Sequence, residues 1–272
     1  MNSVGSVNSQ NYNYYNYYNY YNYYNYPTQR RYYRQEPSEP DTAKTVTYAG
    51  ILQLIVLGLQ KASDWCGQKL MQGNEFTTEK NVKQIADYMK NHNNLDVTID
   101  YLDKNNIKRY PNALQKELEV VARGENAFYT DQLKLAVAPK SKPSLILHEL
   151  GHAINAQTKK AFKYLQKSRH VALATIPMAT VTAAGMFKRE DGKPNFFELN
   201  ALSIGFLAYL PTIIEEGLAS IHGVKAAGKF VKDKSLLNPL KRNYAFAWMT
   251  YLIAGIATAI GVKQTIIENK KA

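Results

Sequence analysis

Residues 143–155 read Pro-Ser-Leu-Ile-Leu-His148-Glu149-Leu-Gly-His152-Ala-Ile-Asn, an apolar run opened by a proline and interrupted by two histidines and one glutamate. The pattern predicts a buried helix. On a helix, residues four apart share a face, so the His148 and His152 rings can meet one metal ion, with Glu149 leaning over the same place. Two neutral imidazoles beside a carboxylate are what a metal-activated water needs, the imidazoles as ligands and the carboxylate as the group that takes its proton. The chain has only five histidines, and His92, His170 and His222 are the others. A carboxylate buried on an otherwise apolar helix is costly unless it has work to do.

A catalytic metal of this kind takes a third protein ligand and keeps one position open. The candidate lies in Pro211-Thr-Ile-Ile-Glu215-Glu216-Gly217-Leu218-Ala219-Ser220. Glu216 to Ser220 resembles the second motif of gluzincins, where a glutamate followed by two residues and then alanine supplies the third ligand from a second helix. The resemblance implies zinc as the cofactor and Glu216 as its ligand, with Glu215 the alternative if the register differs by one. Gluzincins commonly carry an aspartate four residues after the ligand, where it braces a metal-binding histidine. This chain has Ser220 there, a weaker partner for orienting a ligand.

Around these motifs the chain divides by composition. Residues 1–42 form a tail in which Asn11 to Tyr26 repeats Asn-Tyr-Tyr, with too little aliphatic content for a core. Its aromatic and arginine content would suit self-association or stacking on RNA bases; a low-complexity expansion without a specific role is the other reading. Residues 43–62 include the uncharged run Thr45 to Leu59, a short membrane span or an interfacial or buried helix. Residues 63–170 are expected to be a mixed helix and strand part holding the metal helix. Within it Val82, Ile85, Ala86 and Met89 mark one face of a helix over Lys80 to His92, and Leu95 to Leu102 alternates as a strand.

Residues 171–214 hold two uncharged stretches, Val171 to Phe187 and Leu199 to Ile214, joined by a polar turn. They predict a helical hairpin, in a membrane or in an apolar core, that returns the glutamates to the side of His148 and His152. Residues 215–242 carry the second ligand helix and a basic run. Residues 243–262 lack charge for long enough to cross a bilayer, and 263–272 form a basic tail. One segment upstream of the metal helix adds to this. Asn126-Ala127-Phe128, before the apolar strand Leu133 to Ala138, resembles the Asn-Ala-Phe segment of the HtpX and CAAX prenyl protease family. There it lies beside the active-site cleft, with substrate adding to a free strand edge. The spacing from Asn126 to His148 is shorter than in that family.

The resemblance covers roughly residues 75–262 and implies an integral-membrane zinc endopeptidase. Its fold would be mainly α with a small β-sheet, an α+β zincin-like catalytic part plus transmembrane helices. His148, His152 and Glu216 would hold zinc, Glu149 would be the general base, and Asn126, Ala127 and Phe128 would bind substrate. His222, Tyr244 and Arg242 are candidates to steady the oxyanion. The expected partners are a peptide or membrane-protein substrate and the lipid bilayer, rather than nucleic acid. A net charge of +12 fits a negatively charged partner, nucleic acid or an anionic membrane face. The lysine-rich flanks of the metal helix and of the Glu216 helix would put the catalytic face in the cytoplasm of a multi-pass protein. A single cysteine, Cys66, excludes an internal disulfide and fits a reducing compartment. The start shows no cleavable signal peptide. The alternative function is an inactive membrane scaffold that uses the tail to recruit partners.

Overall fold

The computed structural model describes residues 40–110, 114–187 and 193–269, without the side chains of 40–49 and 109. The Asn/Tyr repeat, most of the polar turn after Phe187 and the terminal lysines lie outside the described residues. Among the described residues the protein is mainly helical, 75%, with one three-stranded sheet. In order the elements are α1 (Pro40–Gln72), α2 (Glu79–His92), β1 (Thr98–Leu102), α3 (Gln115–Ala122), β2 (Phe128–Thr130), β3 (Leu135–Pro139), α4 (Leu145–Gln157), α5 (Lys160–Met186), α6 (Phe196–Phe230) and α7 (Asn238–Asn269).

Two cores meet across the sheet. Strand β3 is buried along its whole length and points its residues alternately to its two sides. Ala136 and Ala138 join the larger core with Ile146, Leu147 and Leu150 of α4 and with Val82, Ile85, Ala86 and Met89 of α2. Leu135 and Val137 face Leu118 and Val121 of α3. Alanines on the α4 side let that helix lie close to the sheet. Thr78 caps α2 by accepting from the Asn81 amide at 3.3 Å, and Asn195 caps α6 by accepting from the Glu198 amide at 3.1 Å.

The sheet order is β1-β3-β2, with β1 parallel and β2 antiparallel to β3. This corrects the expectation of a free edge on the Leu133–Ala138 strand. Both sides of that strand are already hydrogen-bonded, so no substrate backbone can add there. The edges belong to β1 and β2, and Asn126 and Ala127 lead directly into β2.

The helix α4, which carries both His148 and His152, and the long helix α6 cross at very short range. A Cβ on Gly151 would land on the Ala219 backbone, 2.6 Å from its Cα and closer still to its carbonyl. A Cβ on Gly223 would meet the Leu147 carbonyl at 3.0 Å. The glycine between the two histidines and the alanine of the Glu-x-x-Ala segment are therefore the point where the helices touch. Only side chains this small let the histidines and Glu216 face one another. Gly151→Ala is expected to destabilise the fold by about 1–3 kcal/mol, because backbone rather than a pliable side chain must move. A melting curve checks this, and a loss smaller than about 0.5 kcal/mol, a typical surface effect, would contradict the contact.

By length and composition, two helices among the described residues could cross a membrane. They are Phe196–Phe230 and the stretch Lys234–Asn269, with mean hydropathy of 1.4 and 1.7 over their most apolar 18 residues. They contain the expected segments 199–214 and 243–262. The uncharged run at 45–59 lies in α1, and that at 171–187 lies in α5 but for its last residue. Both helices extend into polar sequence that the apolar runs alone do not mark, and α5 and α6 run through Pro177 and Pro211.

Candidate metal centre

Helix α4 presents His148 and His152 on one face, and α6 presents Glu216 opposite them. All three are buried. Their donor atoms converge. His148 Nε2 lies 3.0 Å from His152 Nε2 and 3.2 Å from Glu216 Oε2, and His152 Nε2 lies 3.4 Å from the same oxygen. Three ligands held about 2.0–2.1 Å from a tetrahedral zinc would be about 3.3 Å apart. The cluster is spaced so that it could hold a metal ion.

The remaining ring nitrogens fix how the histidines point. His152 Nδ1 donates to Glu215 Oε1 at 2.7 Å, and His148 Nδ1 lies 3.1 Å from the Ser220 hydroxyl, which can accept from it. With each Nδ1 proton so engaged, both Nε2 atoms present lone pairs toward a carboxylate oxygen. Three lone pairs facing one another in a buried space repel unless a proton or a metal cation lies between them. The donor set therefore fits zinc, two imidazoles and a carboxylate with one further position open. Burial opposes a charge on His152, but the Glu215 and Glu216 carboxylates outweigh it and raise its pKa well above the ordinary imidazole value. The site is one that favours positive charge.

Glu149 lies between the two histidines in sequence and is 6% exposed. Burial raises its carboxyl pKa, and the two imidazoles pull in the opposite direction. A carboxyl balanced in this way is suited to exchange a proton with a reacting group.

Glu215 has a place of its own. Rather than offering an alternative ligand, it is wholly buried and braces His152. It also accepts from Asn155 Nδ2 at 3.2 Å and from Arg169 Nη1 at 2.7 Å. Ser220 lies four residues past Glu216, so one helix face supplies both groups that meet His148. Tyr244 of α7 donates to the Ser144 carbonyl at 2.7 Å, tying down the start of α4, and its ring centre lies 5.4 Å from that of His148.

The other expected residues lie elsewhere. His222 packs against the Phe162 ring, and its Nε2 is buried without a hydrogen-bond partner among the described residues. Arg242 is exposed, and the Tyr244 hydroxyl is engaged by Ser144. Asn126 is exposed, Ala127 lies against the core shared with α4, and Phe128 faces the opposite side of the sheet beside α3. Sequence reasoning missed Asn155 and Arg169 and took Glu215 as a spare ligand. Asn155 could have been found as the residue three past His152 on the same helix. Arg169 left no local signal, since it reaches the site from α5.

Comparison with known protein families, characterised proteins and solved structures gave no match.

Proposed function

We propose that the protein is a zinc-dependent endopeptidase held in a membrane. The observation that carries this reading is the convergence of His148, His152 and Glu216 with Glu149 between the two histidines. In this reading His148, His152 and Glu216 hold the ion. Held there, zinc would supply a water of lowered pKa and a Lewis acid for a carbonyl oxygen. Glu149 takes the proton from the attacking water and returns it to the departing amine. Glu215 and Ser220 keep the two imidazoles turned toward the ion.

The membrane part of the proposal rests on the long helices. Only 22% of the most apolar window in Lys234–Asn269 and 39% of that in Phe196–Phe230 is buried, whereas the core helix of a soluble protein would be mostly covered. Leu199, Leu202, Leu207 and Ile214 of α6 and Ile256 of α7 are exposed. A lipid bilayer is the medium in which such faces are stable. Glu215 and Glu216 follow directly on the apolar stretch of α6, which supports a centre near the membrane boundary. The lysines and arginines at the start of α5 and after α6 suit a cytoplasmic face for it. Alkaline carbonate washing of membranes containing the full chain should leave it in the pellet; release into the supernatant would remove the membrane from the proposal.

Activity is tested by incubating the detergent-purified chain with unfolded casein. Cleavage that a zinc chelator stops and added zinc restores is the expected result. A zinc-loaded chain that cleaves nothing would favour an inactive scaffold.

A further inference from the structure

Both oxygens of the Glu216 carboxylate are engaged. Oε2 faces His148 and His152, at 3.2 and 3.4 Å. Oε1 accepts from Arg169 Nη1 at 3.2 Å, and the same nitrogen donates to Glu215 Oε2 at 2.7 Å. Arg169 is therefore a clamp across two neighbouring glutamates, one aligned with the metal-ligand atoms and one bracing His152. It comes from α5, which supplies none of the three donor atoms. Its charge also offsets one of two carboxylates that would otherwise be buried as like charges side by side.

A carboxylate can bind a metal through one oxygen or through both. An oxygen held in a charge-assisted hydrogen bond is turned away from chelation. We propose that Arg169 is a positioning residue that keeps Glu216 a one-oxygen ligand and so holds the centre at three protein donors with one open position. The inference rests on the metal-centre reading above. Glu215 is part of the device, because it anchors the Arg169 nitrogen while its other oxygen fixes His152. Helix α5 is thereby joined to two of the ligands, so a shift of this helix changes how the ion is held.

Cobalt(II) loaded into the full chain in detergent reports ligand number directly. Four-coordinate cobalt lacks a centre of symmetry and absorbs strongly in the visible, and the bands weaken as a fifth donor joins. The wild type should show the strong spectrum with one cobalt per chain. Arg169→Met keeps bulk but no donor, and should bind the same amount of cobalt with bands several-fold weaker, as Oε1 joins the ion. Arg169→Met combined with Glu215→Gln removes the uncompensated buried charge and keeps an oxygen for His152. It should fold even where the single variant does not, and should show the same weak spectrum. A strong spectrum in the double variant, or in a folded single variant, overturns the proposal and leaves the metal centre standing. A wild type that takes up no cobalt overturns the reading of the centre itself.

Discussion

Glu149→Gln should keep its zinc and lose peptide cleavage by about 10²–10⁴-fold, the usual worth of a positioned general base. The substitution preserves shape and hydrogen-bonding reach but cannot accept the water proton. Metal retention is expected because Glu149 is not among the atoms that converge; those belong to His148, His152 and Glu216. Elemental analysis and a cleavage assay on the same preparation check both halves. If activity survives within a factor of about three, Glu149 is not the base and the proton takes another route. If the zinc is lost along with activity, Glu149 acts on the ligands instead.

The second large effect is on metal affinity. Glu216→Ala removes an oxygen lying 3.2 and 3.4 Å from the two imidazole nitrogens. It should weaken zinc binding by well over the about 10–100-fold that follows loss of a ligand's hydrogen-bonding partner. Glu215→Ala should fall within that smaller range, since it removes the brace on His152 Nδ1 and leaves the three donor atoms in place. Competition with a chelator of known affinity measures both. The order of the two losses decides the register of the acidic pair; if Glu215→Ala is the more damaging, the assignment of Glu216 as ligand is wrong.

The His148, His152 and Glu216 cluster was legible because its signal is local. Two histidines at helical spacing need only the helix to share a face, and the helix was written in the apolar run around them. Glu216 and Ser220 were legible for the same reason, as a pair four apart on a second helix. The clamp was not, because Arg169 meets Glu215 and Glu216 only once three separate helices have packed, and no spacing along the chain encodes that meeting. The sheet shows an intermediate case. The run Leu135 to Pro139 is apolar at every position, a pattern suited to a strand covered on both faces, yet its two neighbouring strands come from distant segments. Reading that strand as an edge followed the resemblance rather than its own composition. Helix lengths were underestimated for a different reason. The ends of α1, α5 and α6 are polar but still helical, which an apolar run does not mark.

The central claim is that His148, His152 and Glu216 form a zinc site, and the most direct test is the zinc content of the full chain. It should be purified without chelators or metal-affinity resin and measured by elemental analysis. The expected result is about one zinc per chain, the content of a single tetrahedral site. A wild type that stays free of zinc, and takes none up when dialysed against it, would contradict the account.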